Sequence, residues 1–301
     1  MDSAELVKGA AEGEGLGNKF LGNIREVYAI AHVLRCFDDP DVTHVLGEVD
    51  PVRDREIVET ELALADLESL ERRLERVEKK AKSGDKEAVR EKGVLESCLA
   101  ALTEGRPIRS LKLGAEERKV LKGFQLLTAK PVLYVANVAE DDLPSGENAW
   151  VESLRNAIEA DDEAARGDEG LVTICSAIES ELAELEPEER QAFLHDLGLS
   201  ETGLNRLIRA AYELLGLLTF FTTGENESRA WTAGEGSTAP QAAGQIHTDF
   251  ERGFIKAETI HFDAFEEVGT WKDARDTGKL RQEGKEYVVS DGDIMLFRFN
   301  V

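Results

Sequence analysis

The 301-residue sequence predicts an α/β domain that is interrupted by an α-helical hairpin and followed by a small α+β module. Three observations carry that prediction. The runs "AHVLRCF", "KPVLYVANV" and "GLVTICSA" are short, nearly continuous apolar stretches, each ending in polar or small residues, as the strands of a parallel sheet do. Between the first and second runs, apolar residues recur every three or four positions over a long stretch. The final third consists of short β-rich runs set around one helical segment. The expected division is a sheet domain over 1–50 and 124–215, the hairpin over 51–123 and the α+β module over 216–301.

Each element follows from local chemistry. After the glycine-rich "GEGLGNKF", Phe20, Ile24 and Val27 fall at helical spacing, and "AHVLRCF" then reads as a buried strand. The three apolar runs form one sheet split by the insertion, with ligand sites expected at the carboxyl ends of the strands. In the hairpin, Leu64, Leu67, Leu70, Leu74 and Val77 line one helical face, Ser83-Gly84-Asp85 breaks the pattern, and Val94, Leu95, Cys98, Leu99 and Leu102 resume it until Gly105 and Pro107. A first arm of about 30 residues spans roughly 45 Å and is expected to project from the sheet domain. "GLNRLIRAAYELLGL" is an amphipathic helix. "TFFTT", "SRAWTA", "FIKAETI", "KEYVVSD" and "DIMLFRFNV" read as strands, Thr238, Ala239 and Pro240 start the intervening helix, and "SDGD" turns the last hairpin.

Composition narrows the function classes. Lys+Arg 36 against Asp+Glu 61 gives a net charge of −25, which argues against broad charge-driven nucleic-acid binding and leaves only a local basic patch for such contact. That patch lies between Glu71 and Lys86, where Arg72, Arg73, Arg76, Lys79, Lys80, Lys82 and Lys86 outnumber the acids. It reads either as a solvated helix face laced with ion pairs or as a binding surface. Cys36, Cys98 and Cys175 form no C-x-x-C pair, so they read as reduced thiols without zinc or disulfide. No run reaches the roughly 18 apolar residues of a membrane span, and there is no signal peptide, so a cytoplasmic protein without membrane partners is expected.

Longer stretches point to a family. "LVKGAAEGEGLGNKFLGNIREV", "TELALADLESLERR", "KKAKSGDKEA", "ANVAED", "GLNRLIRAAYELL" and "RAWTAGEGSTAPQAAGQIHTDFERGFIKAET" together resemble the YchF-type Obg-like ATPases from about Asp2 to Val301. The resemblance implies a P-loop NTPase of the translation-factor class, with a helical hairpin inserted in an Obg-like G domain and a C-terminal TGS domain of β-grasp type. It implies ATP with Mg2+ as the nucleotide, preferred over GTP, and the ribosome or ribosomal RNA as partner.

The carry-over of motifs is uneven. The family's N-x-x-E base-reading motif matches Asn137, Val138, Ala139 and Glu140, and Ser176 and Ala177 in "CSA" match the loop packed against the base. The chemistry suits adenine: an aspartate in this motif accepts the ring N–H and amino protons of guanine, whereas adenine offers an exocyclic amino donor and different acceptors. The D-x-A-G-L switch corresponds to Asp2, Ser3, Ala4, Glu5 and Leu6; Leu6 keeps an apolar residue where related GTPases orient water with glutamine, and Glu5 replaces a glycine. Gly13, Gly15 and Gly17 match the mobile switch. The resemblance assigns the catalytic histidine to His44, which otherwise reads as an ordinary loop histidine. His32 reads as a core residue, and His247 belongs to the TGS signature, with a role in folding or partner contact. Arg72, Arg73, Lys79 and Lys80 are the expected ribosome-facing cations. The sequence contains no G-x-x-x-x-G-K-[ST]. The expectation is therefore a base-binding half without its phosphate half, as in an N-terminally truncated member, inactive on its own. A non-enzymatic ribosome- or RNA-binding protein is the alternative.

Overall fold

Parallel pairing joins the three apolar runs. The computed structural model describes residues 16–44, 46–161, 170–224 and 227–300. In it, α1 (Leu16–Glu26) leads into β1 (Ile30–Arg35), which pairs in parallel with β2 (Val132–Asn137), and β2 pairs in parallel with β3 (Leu171–Ile174). The central strand β2 buries Leu133, Tyr134, Val135 and Ala136 in succession, as a strand covered on both faces must. The reading of "AHVLRCF" as a wholly buried strand is corrected. Leu34 and Cys36 are buried, but Val33, on a strand at the edge of this three-stranded sheet, is 56% exposed.

The hairpin is built from α2 (Pro51–Ala81) and α3 (Lys86–Thr103), followed by α4 (Ala115–Lys122). Asp50 caps α2 by accepting from the Arg53 N–H at 3.1 Å, with Pro51 in the first turn. Asp85 caps α3 through the Glu87 and Ala88 N–H groups at 2.9 and 3.3 Å, and Gly84 turns the chain at φ +84°. Leu70 and Val77 meet Val94, Leu95, Cys98 and Leu102 in the hairpin core. Leu64 does not belong to that face and is exposed. In its first half α2 turns Leu62 and Ala65 onto Leu21 and Leu127, so this half is part of the sheet domain's packing and does not project from it. Asp66 is fully buried there, its carboxylate accepting from the backbone N–H groups of Leu127 and Thr128 at 2.9 and 2.8 Å and from the Thr128 hydroxyl at 2.7 Å. Periodicity alone treats this aspartate as a surface residue.

Helices α5 (Ala149–Asp161) and α6 (Ser176–Glu184) bury Val151, Leu154, Ile178 and Leu182 against Leu34, Tyr134 and Ala136 of the sheet. Then follow α7 (Pro187–Asp196) and α8 (Gly203–Leu215). The chain divides into two compact units, Met1–Leu214 and Leu215–Val301.

The second unit contains β4 (Leu217–Thr223), β5 (Ser228–Gly234), α9 (Ala239–Ile246), α10 (Thr248–Arg252), β6 (Phe254–His261), α11 (Phe262–Val268), α12 (Trp271–Asp276), β7 (Arg281–Glu283) and β8 (Asp293–Phe299). The strands lie in the order β5-β4-β8-β6-β7, with β4 and β8 parallel and the remaining pairs antiparallel. Helix α9 buries Ala239, Ala242 and Ala243 against a core that includes Phe220, Phe254 and Met295. Gly253 is required by close approach: a Cβ there would lie 2.0 Å from the Asn300 carbonyl oxygen. Two readings are corrected. "KEYVVSD" is not a strand, since only Val288 forms an isolated bridge, to Thr238. It is a turn held by Asp293, whose carboxylate accepts from Tyr287 Oη at 2.7 Å and the Ser290 N–H at 3.0 Å. The strand beside β6 is instead the polar "RQE" of β7, so no final hairpin turns at "SDGD".

Candidate nucleotide-binding site

The carboxyl end of the parallel sheet gathers around Asn137. Its carbonyl accepts from the Cys36 N–H at 2.8 Å, and the Val138 N–H donates to the Ile174 carbonyl at 2.9 Å, so all three strand ends are tied together. The Asn137 Oδ1 accepts from both the backbone N–H and the hydroxyl of Ser176, each at 2.9 Å. Helix α6 starts at that serine and is fastened behind by Glu179, which accepts from the Gly203 and Leu204 N–H groups at 2.6 and 3.1 Å. Ser176 and Ala177 are exposed, as is Glu140, which opens a short 3-10 turn over Glu140–Asp142. Val138 is buried, so its side chain belongs to the core. Beneath the rim, Asn148 Nδ2 donates to the Cys36 carbonyl and to Asp142, both at 2.8 Å. Burial, with Asp142 adding to it, pushes the Cys36 thiol up to about 12, and Cys175 is buried as well. Of the sequence-derived residues, Asn137 and Ser176 are thus in direct contact, with Val138 and Ala177 adjoining them and Glu140 on the same strand-end loop.

His44 lies on the loop leaving β1. Arg35 organises that loop by donating to the carbonyls of Phe37, Val42 and Asp39 at 3.0, 2.8 and 3.2 Å. The His44 ring is partly buried, with Nε2 at 2.8 Å from Asp54 Oδ2 and Nδ1 accepting from the Leu46 N–H at 3.1 Å. Asp2, Ser3, Ala4, Glu5, Leu6, Gly13 and Gly15 lie outside the described residues. Among the described residues no group of three or more His, Cys, Asp or Glu could hold a metal ion.

A polar cluster that sequence reasoning missed joins the base of the hairpin to the sheet. Glu59 of α2 accepts from Arg109 at 2.8 Å and from the Tyr134 hydroxyl of β2, while Arg55 lies 3.8 Å from Glu59 and beside the Tyr134 ring. Burial works to raise the Glu59 pKa, but Arg109, the Tyr134 hydroxyl and Arg55 outweigh it and hold the carboxyl below its usual value. Burial raises the Tyr134 pKa. His32 sits at this cluster with its ring 6.0 Å from that of Tyr134, and burial, helped by Arg55 and Arg109 against Glu59 and Asp54, pulls it down to about 4. It is a partly buried residue of a charged neighbourhood. The residue types are visible in sequence, but apart from the i,i+4 spacing of Arg55 and Glu59 their separation along the chain leaves no pattern to detect.

The expected partner-facing cations occupy the second half of α2. Arg72 pairs with Glu68 at 3.0 Å, and Arg73 pairs with Glu91 at 2.6 Å while lying over the Phe124 ring. Lys79 and Lys80 are exposed. Arg25, Arg72, Arg73, Arg76, Lys80 and Phe124 border a groove of about 640 Å³. His247 is exposed in the second unit, where its Nδ1 accepts from the Asp249 N–H at 3.2 Å and caps α10. No helix among the described residues is long and apolar enough to cross a membrane.

Comparison with known proteins gives a concordant result. Residues 217–300 match the YchF-GTPase_C family model, described as a protein of unknown function (DUF933). The chain is 51% identical over 301 residues to the ribosome-binding ATPase YchF of Escherichia coli O157:H7, covering all of this chain and 81% of that protein. It is 52% identical to the same-named protein of Bacillus subtilis, with the same coverage. The solved Schizosaccharomyces pombe YchF GTPase superposes with a TM-score of 0.81 at 36% identity, over 98% of this chain and 78% of that one. A GTP-binding protein from Pyrococcus horikoshii, at 20% identity and a TM-score of 0.56, shares the fold. With identity of this level along its whole length and a matching architecture, the chain belongs to the YchF family.

Proposed function

We propose that this chain recognises ATP at the carboxyl end of its parallel sheet and works at the ribosome in the cytoplasm, as part of a ribosome-binding ATPase. The observation that carries the nucleotide reading is Asn137 at the end of the central strand, joined through Oδ1 to Ser176 at the start of α6. With Oδ1 occupied, its amide N–H groups are the donors left for a ring nitrogen of the base. Glu140 supplies an acceptor for the exocyclic amino protons of adenine, and the Val138 backbone and exposed Ser176 and Ala177 line the base. His44 is the residue that would orient the attacking water, and Mg2+ bound with the nucleotide would offset the phosphate charge. Residues 51–123 are the hairpin insertion, and 216–301, containing His247, are a TGS domain that contacts the ribosome together with the basic stretch of α2.

Competition binding of ATP and GTP to the chain and to its Glu140→Asp variant tests base recognition. The shorter carboxylate restores the guanine-accepting geometry, so the affinity ratio is expected to move toward GTP; an unchanged ratio overturns the assignment of Asn137 and Glu140. Since the sequence holds no G-x-x-x-x-G-K-[ST], the 301 residues alone are expected to bind nucleotide weakly and not to turn it over. That same observation favours a second reading, in which these residues bind the ribosome or its RNA without catalysis. Magnesium-dependent phosphate release above a His44→Ala control would remove the second reading.

A further inference from the structure

We propose that Asp54 is a positioning residue for His44, fixing its tautomer so that Nδ1 is the ring nitrogen that accepts a hydrogen bond from water. The inference rests on the reading of His44 as the water-orienting residue, but its geometry stands independently. Asp54 lies in the first turn of α2, and its two carboxylate oxygens are used differently. Oδ1 accepts from Arg53 Nε and a terminal guanidinium nitrogen at 3.3 and 3.2 Å, while Oδ2 lies 2.8 Å from His44 Nε2. Arg53 also donates to the Glu48 carbonyl at 2.7 Å, so the carboxylate is oriented by a side chain that is itself tied to the His44 loop. Both members of the pair are partly buried, with side chains 15% and 21% exposed, which limits competition from solvent.

The consequence follows from the inventory of imidazole donors and acceptors. A neutral ring carries one N–H and one lone pair. An ionised carboxylate only accepts, so a contact with Oδ2 puts the proton on Nε2 and the lone pair on Nδ1. The Leu46 N–H at 3.1 Å is consistent with that assignment, because a backbone donor requires an acceptor at Nδ1. In this conformation Leu46 occupies that lone pair. A water can take it only after the backbone at Leu46 withdraws, whereas Asp54 stays fixed on the end of a 31-residue helix. The carboxylate thus acts through the histidine and touches no substrate.

Nitrogen-15 NMR of this chain, without nucleotide, tests the assignment. The His44 signals are identified by their loss in His44→Ala among the five histidines. Near neutral pH the expected spectrum shows Nε2 as the protonated nitrogen and Nδ1 as the unprotonated one. In Asp54→Asn the two nitrogens should move toward the averaged shifts of a mixed tautomer population, and Asp54→Glu should restore part of the native pattern. A native His44 that is protonated on Nδ1, or already mixed, overturns the proposal even if both variants misfold. So does a well-folded Asp54→Asn protein with unchanged nitrogen shifts. Either result removes Asp54 from the scheme and leaves the reading of His44 itself standing, since that reading is tested by phosphate release against the His44→Ala control and not by the tautomer.

Discussion

His32 and Asp66 have identities that composition would place at the surface, yet His32 is partly buried and Asp66 fully buried, each in a specific environment. For His32, burial lowers the pKa from 6.5 to about 4, so between those values the unfolded chain takes up a proton that the folded chain refuses. Its contribution to stability is complete above about pH 6.5 and declines as pH falls toward and below 4, by roughly 3 kcal/mol in total at 1.36 kcal/mol per unit. Glu59, whose pKa is lowered in the fold, acts in the same direction at lower pH, its contribution being lost as the carboxylate protonates. Asp66 acts oppositely: burial outweighs its hydrogen bonds and raises its pKa, so protonation favours the folded form. The expected outcome is that urea midpoints fall from pH 6.5 to pH 4.5 and that His32→Leu flattens this dependence. A variant with the native slope would show that His32 does not carry it.

Helix α2 shows what periodicity reads and what it cannot. The spacing of Leu67, Leu70, Leu74 and Val77 is sufficient to place the hairpin seam, because α3 offers a complementary stripe and the pairing is local. Leu64 departs from that stripe since the first half of α2 packs on Leu21 and Leu127, which only the fold brings there. The basic stretch also gains detail. Arg72 and Arg73 are engaged by Glu68 and Glu91, whereas exposed Lys79 and Lys80 lie in the last turn of α2, where positive charge also suits the helix dipole. Replacing all four by glutamine is expected to weaken ribosome co-sedimentation and flatten its salt dependence, by up to about one unit of log–log slope for each phosphate no longer neutralised. Lys79 and Lys80 should account for more of that change than the paired arginines. An unaltered slope would return this stretch to a solvated helix face.

At the scale of the molecule, the two compact units have separate hydrophobic cores. The core of the second unit, around Phe220, Phe254, Met295 and the alanines of α9, lies entirely within residues 215–301. That segment expressed alone is expected to unfold cooperatively and to give the dispersed NMR spectrum of a folded domain. A collapsed spectrum would show that its core depends on the rest of the chain. The Gly253→Ala variant of the segment should be markedly less stable, because the Asn300 carbonyl leaves no room for a Cβ.

The parallel strands, the hairpin and the second unit's central helix are legible in the amino-acid order, since each depends on local spacing and end signals that survive without long-range information. Asn137, Glu140 and Ser176 are visible there too, as a motif at strand ends. Folding in three dimensions was needed to show that Asn137 binds Ser176 across two strands, that Asp54 holds His44, and that Glu59, Arg109 and Tyr134 form one cluster. It likewise replaced the expected strand "KEYVVSD" with a turn fastened to Asp293. The physical reason is common to all four. A side-chain hydrogen bond between residues brought together by folding depends on distance and direction in space, and neither hydrophobic period nor turn propensity encodes them.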